Sequence, residues 1–380
     1  MSVTREIKDF ALDLGYHEAG ITTADPFPWY AEELESRYTD YDYYIESPLK
    51  PIPGTDPRSV MPEARSIISL VYDYTREGFA AELGGRIGRL YQSRSYNQSS
   101  SRTNGARRQL FRDYLEKRGL HVMLGPDINV PERLTAARAG VATYGRNNFA
   151  FSKGPGSFIV LTAFVVDAEL EYDSPTMEAP CPENCRLCID ACPTGTLEPF
   201  RLEPKKCIAY NCFMTQDNFR GNLTSSHIPP EIREKMGSWI HGCDLCQEAC
   251  PRNRPRLKAS ETLPPSSFLT RIAEQFDLRK VLLLTDEYFE TVLRPVMYNY
   301  IRHKRYFQRN AAIALGNSGD QSHVPYLAKA LGDSDELVRG YAAWALGRLR
   351  GTEARAAIEK ALHSEPDEQA SREMQSALAA

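Results

Sequence analysis

Residues 181–193 read Cys-Pro-Glu-Asn-Cys-Arg-Leu-Cys-Ile-Asp-Ala-Cys-Pro, and residues 243–251 read Cys-Asp-Leu-Cys-Gln-Glu-Ala-Cys-Pro. Each run ends in Cys-Pro, and Cys207 and Cys212 lie between the two. All nine cysteines of the 380-residue chain fall between positions 181 and 250. Paired runs of this kind signal two [4Fe–4S] clusters: thiolates are soft donors for iron, and short spacings let one loop supply three corners of a cubane. The Cys before each Pro then crosses to the other cluster. The crossing gives one group of Cys181, Cys185, Cys188 and Cys250, and a second of Cys192, Cys207, Cys243 and Cys246. Cys212 is left over.

Two other chemistries use part of this pattern. Structural zinc takes paired Cys-x2-Cys, but it leaves the two Cys-Pro endings unexplained. Radical S-adenosylmethionine enzymes use the Cys181-x3-Cys185-x2-Cys188 spacing, but there the motif usually opens a barrel and lacks a fourth Cys-Pro. A disulfide framework needs an oxidising compartment. The N-terminus MSVTREIKDFALDLGYHEAG mixes acids and bases along an amphipathic helix and shows no leader pattern or twin arginine. The longest apolar run, Phe158 to Val166, is short of the roughly 20 residues that span a bilayer. A cytoplasmic protein without a membrane segment is expected. Oligomeric state is not readable.

Outward from the cysteines the chain changes character on both sides. Residues 1–175 mix strand and helix patterns. Ser66–Tyr72 (SIISLVY) and Ser157–Val166 (SFIVLTAFVV) read as buried strands. Arg107–Lys117 and Pro131–Gly140 read as helices, the latter opened by Pro and closed by Gly. From 263 the chain reads helical. Ala311-Ala312-Ile313-Ala314-Leu315-Gly316 recurs 31 residues later as Ala342-Ala343-Trp344-Ala345-Leu346-Gly347. Leu327 and Leu331 recur as Ile358 and Leu362, the mark of a short HEAT-like solenoid. The expected class is α+β and multidomain: an α/β N-terminal domain at 1–175, a ferredoxin-like two-cluster module at 176–262, and helical HEAT-like repeats at 263–380.

The net charge of −4 excludes a polyanion binder by bulk charge. Local patches remain. Arg86, Arg89, Arg94, Arg102, Arg107, Arg108, Arg112, Lys117 and Arg118 face only Asp113 and Glu116 in that stretch. Arg252, Arg254, Arg256 and Lys258 follow the second cysteine run, and Arg302, Lys304, Arg305 and Arg309 open the repeat. Such patches suit either a solvated face or a phosphate-bearing partner, a cofactor tail or RNA. Glycines at Gly140, Gly145, Gly154 and Gly156 sit at joints where backbone can approach a ligand closely. No histidine lies in an Asp-x-His-x-x-Gly loop, and neither a phosphate-binding Walker loop nor a dinucleotide glycine run is present.

Four features in one order resemble the epoxyqueuosine reductases: Glu132-Arg133 with Arg138-Ala139-Gly140, Gly145-Arg146-Asn147 and Gly156-Ser157; the double cysteine set; Lys206-Cys207-Ile208-Ala209-Tyr210; and Gly242-Cys243-Asp244-x-Cys246-Gln247. Arg309-Asn310-Ala311-Ala312 with Leu315-Gly316-Asn317 matches as well. The resemblance implies a nitroreductase-like N-terminal sheet, two [4Fe–4S] clusters, and cobalamin held without an axial histidine. It also implies a helical domain that grips tRNA and an external low-potential electron donor. The implied reaction is reduction of epoxyqueuosine to queuosine. Carried over residue by residue, the cobalamin contacts are Tyr96, Arg138, Gly140, Gly145, Arg146, Asn147, Gly156 and Ser157.

The chain departs from the family at three places. Pro126 stands where the family has its catalytic Asp, six positions before the acid of the acid–Arg pair, and Asp127 is the nearest replacement. Asn97 follows Tyr96 where the family has His. The first cysteine gap is one residue longer than usual. A related corrinoid reductase with a small-molecule substrate, and a non-catalytic electron carrier, are the readings that compete.

Overall fold

A computed structural model describes residues 2–47, 49–93, 101–175, 181–213, 226–297 and 303–379, without the side chains of 101–104, 126 and 297. The two apolar runs form the centre of the N-terminal sheet. Helix α1 (Val3–Asp13) leads into strand β1 (Glu18–Thr23), and β2 (Ser66–Asp73) follows. Helix α2 (Ser101–Glu116) precedes β3 (Val122–Leu124), the short α3 (Gly125–Ile128) and α4 (Glu132–Arg138). Strand β4 (Ile159–Val166) closes the domain. The sheet runs β1-β2-β4-β3 and every pairing is antiparallel, with Ser66 opposite Val166 and Leu124 opposite Phe164. Every residue of β2 is buried, which is why its apolar residues do not alternate with polar ones along the strand. Helices α1 and α2 cover one face through Ile7, Phe111 and Leu115. Helix α4 packs on β2 and β4.

The helix expected at 131–140 spans Glu132–Arg138, ending two residues early. Gly140 takes φ +73°, and a Cβ there would meet the Ser174 carbonyl oxygen at 2.5 Å. This is the usual use of Gly after a helix C-terminus.

The cysteine region is built on short helices, α5 (Leu187–Asp190), α6 (Ile208–Phe213), α7 (Leu245–Glu248) and α8 (Arg254–Glu261). The repeat supplies α9 (Lys304–Asn317), α10 (Val324–Ala330), α11 (Glu336–Leu349), α12 (Thr352–Leu362) and α13 (Glu368–Ala379). The two small-residue repeats lie in α9 and α11, which pack on each other. A Cβ on Gly316 would sit 2.8 Å from Ala345 Cα, so the glycine sets how closely these helices approach. One continuous core runs from Ile208 and Ile232 through Ile240 into Ile313, Leu346 and Met374. The packing thus carries the repeat's core back into residues 208–240, across the chain division near 262. The buried Arg233–Glu373 pair at 2.7 Å ties the same two parts together. Among the described residues no helix is long and apolar enough to cross a membrane.

Where β3 stops, β4 would leave the Ala163 N–H without a ladder partner. It donates to the Glu132 carboxyl. Glu132 keeps part of its surface at the solvent while the carboxyl is enclosed, and burial raises it from its ordinary value to about 7 against the pull of Arg108 and Arg133. The folded chain therefore holds this proton more tightly than the unfolded chain. That contribution is complete below about pH 4.5 and is lost as pH rises through 7. Between pH 5 and 8 the wild type should lose on the order of 1–2 kcal/mol relative to Glu132→Gln. Denaturant melts of both proteins at the two pH values check this; parallel pH profiles would contradict it.

Candidate functional site

The two cysteine runs meet because α5 and α7 pack against each other. All nine cysteines are free thiols. Among the described residues no three His, Cys, Asp or Glu side chains close on one point as a single-ion site requires. The thiols act on one another in two groups instead. Burial pushes Cys188 up to about 11, with Cys181, Cys250 and Cys185 adding to it. Burial also raises Cys250, again with Cys181 and Cys185 adding. In the other group burial drives Cys246 far above the ordinary thiol range, with Cys207 and Cys192 next. Cys243 rises for the same reason, helped by Cys207 and Cys246. The Cys-Pro crossing expects these neighbours as ligand sets; Cys207 also acts on Cys212, which the crossing leaves out. Cys188 also acts on Cys246, so the groups are neighbours. A coordinating metal deprotonates a thiol outright, so iron would reverse each of these shifts.

The second group faces the N-terminal domain. Cys192, Cys207, Cys243 and Cys246 line one cavity of about 250 Å³. Its opposite wall is Tyr43, Arg133, Asn147, Asn148 and Phe149 of the N-terminal domain. Arg133 donates to the Asn148 carbonyl, and Asn147 Nδ2 donates to the Cys246 carbonyl at 3.3 Å. The Arg146 N–H donates to Cys181 Sγ at 3.4 Å, an outer hydrogen bond of the kind that tunes a cluster. The donor set fits two cubanes. For cobalamin the chemistry of the wall fits: amides, a guanidinium and aromatic rings suit a ring fringed with amides. The volume is smaller than the roughly 300–1,000 Å³ of ordinary ligand pockets, so it admits an edge of such a ring and not the whole.

The residues expected at a cofactor separate into two sets. Asn147 is buried at this cavity, and Arg146 touches the first cysteine group. Gly145 packs under the Phe151 ring, 2.3 Å from where its Cβ would be. Arg138 is spent on the fold. It donates to Thr22 Oγ1 and to the Thr23 and Asp25 carbonyls, and lies over the Phe27 ring. Gly156 and Ser157 dock the domains. Ser157 N–H donates to Asn253 Oδ1 at 3.0 Å, Ser157 Oγ donates to Gln247 Oε1 at 2.9 Å, and a Cβ on Gly156 would collide with Asn253 Oδ1 at 2.2 Å. Tyr96 and Asn97 lie outside the described residues. Asp127 is exposed on α3, 3.8 Å from Arg112 and away from the cavity wall.

Much of the basic run is used internally. Arg89 Nη1 pairs with Asp244 and Glu248, Arg107 donates to the Leu14 carbonyl, and Arg118 pairs with Glu6. Arg94 and Arg302 lie outside the described residues. Arg309, read with the bases that open the repeat, is fully buried and offers no surface charge. Arg252, Arg254 and Lys258 are exposed. No motif marks Tyr43 in the sequence. Its ring meets Tyr210 at 4.9 Å beside Cys207, and the tyrosine-rich run Tyr38–Tyr44 was the available signal.

Comparisons with known proteins fit this geometry. Residues 181–253 match a 4Fe-4S double cluster binding domain, and residues 300–379 match HEAT repeats. An epoxyqueuosine reductase of Bacillus cereus is 30% identical over 390 aligned positions, covering 98% of this chain and 96% of that one. Its counterpart in Staphylococcus aureus is 29% identical, covering 92% and 90%. A crystal structure of an epoxyqueuosine reductase with an epoxyqueuosine-modified tRNA-Tyr stem loop superposes with a TM-score of 0.80 at 26% identity, covering 99% of this chain and 97% of that one. The Bacillus subtilis enzyme, solved with a catalytic aspartate loop swung out of its active site, gives 0.79 at 25% identity, covering 99% and 98%. The order of domains, the double-cluster module and a full-length match agree: the chain belongs to the epoxyqueuosine reductase family.

Proposed function

We propose that this protein reduces epoxyqueuosine in tRNA to queuosine, working in the cytoplasm with an external low-potential electron donor. The observation that carries the reading is the cavity that joins Cys192, Cys207, Cys243 and Cys246 to Arg133 and Asn147 of the N-terminal domain. The electron module and the substrate domain share a wall there. The reaction takes two electrons and two protons and gives an alkene and water. Two one-electron carriers side by side suit that stoichiometry.

In this reading Cys181, Cys185, Cys188 and Cys250 hold an outer cluster, and Cys192, Cys207, Cys243 and Cys246 an inner one. Asn147 and Arg133 would hold an edge of cobalamin, which would supply a strongly reducing centre for the epoxide. Arg146 holds the outer cluster's Cys181 through its N–H. Arg138, Gly140, Gly145, Gly156 and Ser157 support the site by fixing α4 and docking the domains. Asp127 delivers the proton to the alkoxide as the ring opens. Its present partner is Arg112. A relative has been seen with its catalytic aspartate loop swung out, and a swing of the 125–131 segment would bring Asp127 inward.

The tRNA part of the reading is tested by binding. Affinity for tRNA should be clear at about 50 mM salt and fall steeply by about 200 mM as counterions compete. No binding at low salt would contradict it.

The ligand sets predict a division of the iron. Cys207→Ser should lower iron from about eight to about four per chain, while Cys212→Ser should leave both clusters. Eight irons in Cys207→Ser would refute the assignment. Asp127→Asn should lower turnover by roughly 10²–10⁴-fold while sparing tRNA and cobalamin binding. Unchanged turnover would remove Asp127 as the acid.

A further inference from the structure

Helix α9 breaks its own repeat at two buried positions. At a spacing of 31 residues, Arg309 and Asn310 correspond to Gly340 and Tyr341 of α11. Gly340 packs on α13, and Tyr341 lies in the same continuous core. Arg309 and Asn310 are both fully buried and turn toward the cysteine module instead. Arg309 donates through Nη2 to the Asn211 carbonyl at 3.0 Å and the Cys212 carbonyl at 3.3 Å, and through Nη1 to the Ser226 carbonyl at 2.8 Å. Its Nε donates to Asn310 Oδ1 at 3.0 Å, which fixes which way the Asn310 amide faces. Asn310 Nδ2 then donates to the Cys212 carbonyl at 2.8 Å and to the Ile240 carbonyl at 2.9 Å.

Those carbonyls belong to two particular segments. The first is α6, Ile208–Phe213, which starts immediately after Cys207. A buried guanidinium and a buried amide need acceptors, and these carbonyls supply them. The second is the Ile240-His241-Gly242 stretch that leads into Cys243. One amide therefore bridges the two chain segments that present Cys207 and Cys243, and both cysteines face the inner cavity.

We infer that Arg309 and Asn310 are positioning residues for the inner cluster: the helical repeat, through α9, sets the separation of Cys207 and Cys243. The inference rests on the reading that these two thiols ligate the inner cluster. It makes the inner cluster's assembly and midpoint potential properties of the repeat domain as well as of the cysteine module. Hydrogen bonding and ligand geometry around a cluster set its potential, so a looser bridge has an electronic consequence as well as a structural one.

The test uses the full chain, reconstituted anaerobically with iron and sulfide. Iron content, EPR of the reduced protein and the midpoint potential of each cluster are read for Asn310→Ala. Tyr341→Phe serves as a control that removes a different buried hydrogen bond of the repeat, the one from Ile228 N–H at 2.6 Å. If Asn310→Ala does not fold, Asn310→Asp keeps the shape and the Arg309 contact while losing both donated bonds. In either Asn310 variant one cluster should be lost or shifted in midpoint, with iron falling from about eight toward about four, while the other cluster's signal is unchanged. Tyr341→Phe should keep both clusters. Equal destabilisation in Asn310→Ala and Tyr341→Phe, with both clusters unaltered in each, overturns the positioning role. Cys207→Ser separates the two claims. Eight irons in that variant would overturn the ligand reading on which the inference rests. Four irons there, with Asn310→Ala unaltered, would overturn the positioning role alone.

Discussion

The structure depends on the exchange of two cysteines between two chain segments. Cys192 ends the first run and acts on Cys246 of the second; Cys250 ends the second run and is acted on by Cys181 and Cys185 of the first. Neither group can be completed until residues 181–192 and 243–250 lie side by side, as α5 and α7 do. The cost is a set of buried thiols whose charged forms are strongly disfavoured by desolvation. Iron relieves that cost, which couples metal uptake to the closing of the module. The rest of the architecture brings this closed unit to the N-terminal sheet on one side and to the helical repeat on the other.

Both contacts include polar side chains that serve packing, beside the apolar core shared with the repeat. Gln247, within the second cysteine run, and Asn253, just behind it, receive Ser157 at the entrance to β4. Arg256 pairs with Asp73 at 2.5 Å and donates to Thr75 Oγ1 at the end of β2. Arg89 reaches Asp244, the residue after Cys243, through both its backbone N–H and its guanidinium. On the other side Arg233 and Glu373 form a buried bidentate pair, the geometry in which guanidinium and carboxylate best offset their desolvation. Charges near the clusters are thus largely committed to holding domains together. Arg252, Arg254 and Lys258 are among the bases left exposed there.

The elements legible in the sequence were those with a period or a fixed spacing. The β-branched runs at 66–72 and 157–166 are the two central strands. The 31-residue recurrence is the α9–α11 packing, and the two cysteine runs lie side by side through α5 and α7. What was illegible is long-range pairing. Arg138 and Ser157 match the family's motifs, but their work here depends on Thr22 and Asn253, which lie 116 and 96 residues away. Arg309 looks like one more base beside Lys304 and Arg305, and only burial shows that it faces carbonyls. A signal was present at that point: within an otherwise faithful repeat, Arg-Asn replaces Gly-Tyr at core positions, and a polar pair in a core needs partners.

The central claim is that the inner cluster delivers electrons to a modified nucleoside of tRNA. The most direct measurement is mass analysis of nucleosides from tRNA bearing epoxyqueuosine, after anaerobic incubation with the reconstituted protein, cobalamin and a low-potential reductant. The account predicts loss of epoxyqueuosine and appearance of queuosine, 16 mass units lighter by one oxygen, in step with the protein present. Unchanged epoxyqueuosine, with both clusters and cobalamin verified in the same sample, would contradict it.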